Sequence, residues 1–187
     1  MELIGFVLAE IAFRDTLDGR SRINAGIFPG VQGSVLLHGV AGKAACLGEA
    51  LRPEFAAYNR AVIDNARALA HALAEAGLRI VTGGTDTGLM LVDLAARNLT
   101  GDIAAKALER AGLAVNKNMI PFDARPPEAP SGLRLSSNAG TTRGFGVAEF
   151  QQIAQWIDSV LKNPHDDSTI AAIRKDVTAL CAQHPIY

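Results

Sequence analysis

Arg134 is the side chain best suited to ligand chemistry, in the run Ser131-Gly132-Leu133-Arg134. A planar guanidinium grips a carboxylate with two parallel hydrogen bonds. The alternative is a surface arginine held in a salt bridge. Asn118 closes the run Val115-Asn116-Lys117-Asn118. Its amide offers both a donor and an acceptor, for a ligand edge or for the backbone of its own loop. A third feature is Phe28-Pro29-Gly30-Val31-Gln32-Gly33-Ser34. Pro29-Gly30 is turn chemistry, and Gly33 permits close backbone approach. Such a loop ahead of a helix suits an anion, because free N–H groups and the helix dipole point at it. Without an anion it is an ordinary turn.

Several elements must position these residues. Leu36, Val40, Ala44 and Leu47 recur at helical spacing after the first loop. Pro53 suits the first turn of a second helix, with Phe55, Val62, Ala66, Leu69 and Leu73 as its apolar stripe and Gly77 at its end. Arg79 to Thr82 and Leu89 to Leu94 read as strands around a Gly83-Gly84 turn. Thr100 caps a helix from about Gly101 to Ala111 that Gly112 closes, and Leu113 to Asn116 reads as a third strand. Pro121, Pro126, Pro127 and Pro130 then impose a long non-helical loop. Gly132 to Ser136 reads as a fourth strand. Phe150, Ile153, Ile157, Val160 and Leu161 give one more amphipathic helix. Asp166 or Asp167 caps the last, with Ile170, Ile173, Val177 and Leu180 on its core side. The expected fold is an α/β layer domain preceded by two helices. Ile4 to Ile11 fits a strand or a helix.

Five segments together carry a family resemblance. They are the stretch Val115 to Gly146, Phe28 to Gly33, Pro53-Glu54-Phe55, Gly83-Gly84-Thr85-Asp86 and Leu91-Val92-Asp93-Leu94. In order and spacing, from about Ile23 to Tyr187, the chain resembles the C-terminal part of serine hydroxymethyltransferase. That is a fold-type I enzyme dependent on pyridoxal phosphate. The resemblance implies that residues 1–77 are a remnant of the large cofactor-binding domain, with a phosphate loop at 28–34 and two helices. Residues 78–187 would be the small C-terminal α/β domain. It implies that Arg134 binds the amino-acid carboxylate and Asn118 the pterin of tetrahydrofolate. It implies that backbone N–H groups at Gly33 and Ser34 bind the cofactor phosphate in a neighbouring subunit's site. Leu133 replaces an isoleucine of the family motif. Ser34-Val35 replaces glycine-proline, Ser136-Ser137-Asn138 replaces glycine-threonine-proline, and Glu128-Ala129-Pro130 replaces phenylalanine-valine-threonine.

Pyridoxal phosphate catalysis needs a lysine on the cofactor and an acidic partner at its ring nitrogen. In the family that lysine lies in a Thr-Thr-His-Lys-Thr motif ahead of the phosphate loop, and this sequence has no match to it. The first lysine is Lys43, inside the helix that follows the loop. The expectation is a chain with no catalytic residue of its own, inactive alone in converting serine and tetrahydrofolate. The alternatives are half of a split enzyme, a non-catalytic partner of a full-length homologue, or a structural remnant without function. In each case the two leading helices are expected to self-associate or bind a partner.

Composition agrees with a core-forming domain, 49% of residues being hydrophobic. A net charge of -1 gives no reason to expect nucleic acid or an anionic membrane. Cys46 and Cys181, the two cysteines, suggest neither a disulfide framework nor a zinc site. A reducing cytoplasm is the expected compartment. Glu2, Glu10 and Arg14 sit poorly with a signal peptide.

Overall fold

The computed structural model describes residues 19–186. The ambiguous segment Ile4 to Ile11 lies outside them. The chain forms two compact units, Met1–Leu51 and Arg52–Tyr187.

In the first unit, helix α1 (Gly19–Ala25) leads into a wide helical turn, Gly26–Val31, broken at Phe28 by extended backbone (φ -136°, ψ 126°). Residues 32–36 are irregular, and helix α2 (Leu37–Ala50) follows. The expected loop at 28–34 is therefore half helical turn and half extended connection. No residue of α2 is buried, and Val40 and Leu47 are 52% and 66% exposed.

The second unit opens with the long helix α3 (Pro53–Glu75). Val62, Leu69 and Leu73 of its stripe are buried within this chain. This corrects the expectation that both leading helices lack a partner: only α2 keeps an uncovered apolar face. Helix α3 stops where Gly77 takes a left-handed conformation (φ 84°) and the Leu78 N–H bonds the Leu73 carbonyl.

Strands β1 (Arg79–Ile80), β2 (Leu89–Asp93), β3 (Asn116–Asn118) and β4 (Gly132–Ser136) form one antiparallel sheet in the order β1-β2-β4-β3. Helix α4 (Gly101–Arg110) connects β2 to β3. Beyond β4 come the short helix α5 (Asn138–Thr142), then α6 (Val147–Lys162) and α7 (Asp167–Gln183). Alternation along the strands sends Met90, Val92, Leu133 and Leu135 into one core with Leu73, Leu108, Phe150, Val160 and Ile170. Helices α3 and α4 cover that face, and α6 packs against both. The result is a two-layer arrangement with β4 in the middle of the sheet.

The third strand begins later than the sequence suggested. Leu113, expected as its start, instead closes α4: Gly112 is left-handed (φ 85°) and the Leu113 N–H reaches the Leu108 carbonyl. An apolar residue in that position packs back on the helix it ends. Asp166 is the residue that caps α7, accepting from the N–H groups of Ser168 and Thr169. Thr100, expected as the cap of α4, stands at its start but makes no side-chain cap bond. Among the described residues no helix is long and apolar enough to cross a membrane.

Candidate functional site

The period of two places Gly132, Arg134 and Ser136 on the sheet face away from the core. Register adds their neighbours. Leu91 and Asn116 lie directly opposite Arg134, one on each flanking strand, and Asn118 lies opposite Gly132. Asn118 is thus the diagonal neighbour of Arg134 on one face, at roughly 7–8 Å between backbone positions. The sequence-predicted pair therefore shares one surface.

Arg134 is exposed, and among the described residues its guanidinium has no hydrogen-bond or ion-pair partner. Neighbouring acidic residues make other contacts. Asp86 pairs with Arg67 at 2.9 Å. Glu128 offers its backbone carbonyl to Lys117 Nζ at 2.7 Å. On the same face Arg79 pairs with Asp93 at 2.8 Å, which neutralises that carboxylate. Among the described residues, Arg134 leaves an open fork on this face, a geometry suited to an anionic, planar partner. Asn118 donates through Nδ2 to the Met119 carbonyl at 2.6 Å, leaving its side-chain oxygen to accept.

Both ends of β4 are tied down. At its start, Asp123 accepts four hydrogen bonds: from the Ser131 hydroxyl (2.6 Å) and N–H (2.8 Å), the Arg125 N–H (3.0 Å) and the Ile120 N–H (3.3 Å). The Ser131 hydroxyl, then the Ser131 and other backbone N–H groups, hold the Asp123 carboxyl well below the usual carboxylate range. At its end, the buried Ser137 hydroxyl donates to the Val62 carbonyl at 2.7 Å. Tyr58 and Asn65 of α3 bond Thr142 and Thr141 of α5 at 2.9 Å each. Sequence reasoning missed Asp123, although Pro121-Phe122-Asp123 carries turn chemistry that could have flagged it.

Gly33 and Ser34 belong to the first unit and are described apart from this face. Both are exposed, on the extended connection ahead of α2. Among the described residues no backbone group accepts from their N–H groups; the flanking bonds are Gln32 N–H to Ile27 and Gly39 N–H to Leu36. A Cβ at Gly33 would meet nothing within 4 Å, so the chain itself does not require glycine there. The first turn of α2 holds no acidic residue. Free donors before an uncapped helix start fit a phosphate. Lys43 is on α2 and exposed.

A family model described as serine hydroxymethyltransferase matches residues 11–157. The chain belongs to the serine hydroxymethyltransferase family. It is 56% identical over 172 residues to a serine hydroxymethyltransferase of Jannaschia sp., covering 89% of this chain and 39% of that protein. It is 54% identical over 171 residues to serine hydroxymethyltransferase 2 of Rhodospirillum rubrum, covering 89% of this chain and 40% of that protein. A serine hydroxymethyltransferase of Paramagnetospirillum magneticum is 53% identical, with the same coverage. The chain spans about two fifths of the length of these relatives.

An apolar cavity of about 450 Å³ lies among the end of β4, α5, α6 and α7, lined by Phe145, Ile153, Trp156, Val177 and Cys181 among others. Neither Arg134 nor Asn118 lines it. Among the described residues no group of three or more His, Cys, Asp or Glu is placed to hold a metal ion.

Proposed function

We propose that this chain supplies the C-terminal part of a serine hydroxymethyltransferase site and works with polypeptide that carries the cofactor-bearing lysine. The reaction would join serine and tetrahydrofolate to glycine and 5,10-methylenetetrahydrofolate. Residues 1–77 would contribute part of the large domain and residues 78–187 the small domain. The observation that carries this reading is the unpaired, exposed fork of Arg134 at the centre of a clamped strand.

Arg134 would hold the amino-acid carboxylate through two charge-assisted hydrogen bonds, fixing the substrate's Cα against the reacting centre. Asn118, on the neighbouring strand, would meet the pterin edge with its amide. Gly33 and Ser34 would hold the phosphate of pyridoxal phosphate by backbone N–H groups, in a site completed by another subunit. When bound, that cofactor supplies the electron sink for the carbon–carbon bond change. Lys43 is exposed on α2, and Lys117 donates to the Glu128 carbonyl. The uncovered face of α2, with Val40 and Leu47, would dock against a second copy or a homologous chain. The two thiols, Cys46 and Cys181, are free, which suits a reducing cytoplasm.

The test is reconstitution with a polypeptide equivalent to the first three fifths of the Jannaschia relative. Glycine formation from serine and tetrahydrofolate should appear in the mixture and in neither part alone. Turnover by the isolated chain would overturn the reading. So would a stable complex, loaded with cofactor, that shows no turnover.

A further inference from the structure

The two ligand-facing residues sit at opposite ends of one closed loop. Asn118 ends β3, and Arg134 lies three residues beyond Ser131 in β4. The thirteen intervening positions, 119–131, include four prolines and make no helix or strand. Its two ends are paired in the β3–β4 ladder, Asn118 opposite Gly132, and the Pro130 and Ser131 carbonyls accept from the Gly101 and Leu94 N–H groups. Between those ends regular backbone bonding is sparse, and Asp123 bonds across the segment. Its carboxylate reaches back to the Ile120 N–H, two residues past Asn118, and forward to both the hydroxyl and the N–H of Ser131. It also holds the Arg125 N–H. Arg125 in turn donates to the Leu99 carbonyl at 2.8 Å, tying the loop to the connection before α4. Ser131 is buried although its carboxylate partner is half exposed.

We infer that Asp123 is a positioning residue that braces the loop closing β3 onto β4, keeping Asn118 and Arg134 in their paired register so that the amino-acid and pterin ends of the site are held as one unit. This rests on the roles given to Arg134 and Asn118 above. Asp123 touches neither substrate. It acts through the backbone at Ile120 and Ser131. A carboxylate suits the task because it can accept four bonds with two oxygens, whereas an amide of the same shape accepts with one.

The test has two arms. In the first, amide hydrogen exchange is measured on the 187-residue chain with Asp123→Ala, Asp123→Asn and the milder Ser131→Ala. In Asp123→Ala, amides of residues 118–134 should exchange about ten- to a hundredfold faster, while α6 and α7 keep their rates. Asp123→Asn should fall between, and Ser131→Ala should accelerate the same segment less. Unchanged exchange in that segment, or equal acceleration across the whole unit, overturns the proposal. In the second arm, the reconstituted enzyme with Asp123→Asn should show KM raised about tenfold for both serine and tetrahydrofolate. Arg134→Lys should raise it for serine alone, and Asn118→Ala for tetrahydrofolate alone. A fall in kcat with both KM values unchanged marks Asp123 as merely structural and rejects the inference. If instead Arg134→Lys leaves the serine KM unchanged, it is the substrate-binding reading of Arg134 that fails, while the exchange arm still decides whether Asp123 holds the loop.

Discussion

Replacing Gly132 by alanine should loosen the sheet at the strand that carries Arg134. A Cβ built there would meet the Asn118 carbonyl oxygen at 2.9 Å and the Val92 carbonyl oxygen at 3.1 Å. These belong to the strands on either side, so neither can retreat without lengthening ladder bonds. The Ile120 Cγ2 would stand at 2.6 Å, and that side chain can turn away. Overpacking of this kind costs about 1–3 kcal/mol. Removing glycine also restricts the unfolded chain, a gain of roughly 0.4–1 kcal/mol, too small to reverse the sign. At about 2–4 °C per kcal/mol for a chain of this size, the unfolding midpoint should fall by several degrees. Thermal unfolding followed by circular dichroism reads this directly. Gly33→Ala, where a Cβ meets nothing within 4 Å, is the control and should leave the midpoint in place. A Gly132→Ala midpoint equal to that of Gly33→Ala would refute the packing argument.

Four further outcomes are expected. Leu133→Ala, at a fully buried position of the central strand, should cost about 2–5 kcal/mol in denaturant unfolding. Arg97→Met removes the bonds to Asp158 (2.6 Å) and to the Ala76 carbonyl (2.7 Å). Because Lys162 still pairs with Asp158, the loss should be about 1–3 kcal/mol, less than for an orphaned buried charge. The hydroxyls of Thr169 and Ser168 lower the Asp166 carboxyl from 3.8 to about 2. A lowered carboxylate stabilises above its unfolded value and loses that stabilisation as pH falls, so the melting difference between wild type and Asp166→Ala should shrink between about pH 4 and 2. Sedimentation of the wild type at micromolar concentration should show association, which Val40→Glu with Leu47→Lys abolishes; a wild-type monomer would contradict docking through α2.

Much of the fold is readable from pattern. Strand β4 and helices α2, α3, α6 and α7 follow from period, proline and cap residues, because each is amphipathic over several turns or alternates without interruption. Strand β3 is not. Its three residues, Asn116–Asn118, are polar, and its existence depends on pairing with Gly132, Leu133 and Arg134 far along the chain. The apolar run just before it serves a helix end instead. The burial of α3 was equally hidden, since its partners α6 and β2 are distant in sequence. At the site, Arg134 and Asn118 stand out by residue type and by family resemblance. Their shared face is a consequence of register, and the role of Asp123 rests on a bond across eight residues to Ser131. The shared face has no local sequence signal, and for Asp123 the only local signal is the turn chemistry of Pro121-Phe122-Asp123. The replacement Ser136-Ser137-Asn138 also gains a structural meaning only in three dimensions: Ser137 anchors β4 to α3, and Asn138 packs over Gly88, where a Cβ has no room.

Glycine binding to the reconstituted, cofactor-loaded enzyme tests the role of Arg134 most directly. Arg134→Lys keeps the charge and removes the paired geometry. Losing one of two charge-assisted bonds costs on the order of 1.5–3 kcal/mol, so glycine affinity should fall about ten- to a hundredfold. The thermal midpoint should stay unchanged, because the guanidinium has no partner among the described residues. Wild-type glycine affinity in the Arg134→Lys enzyme would contradict the proposed role of this sheet face.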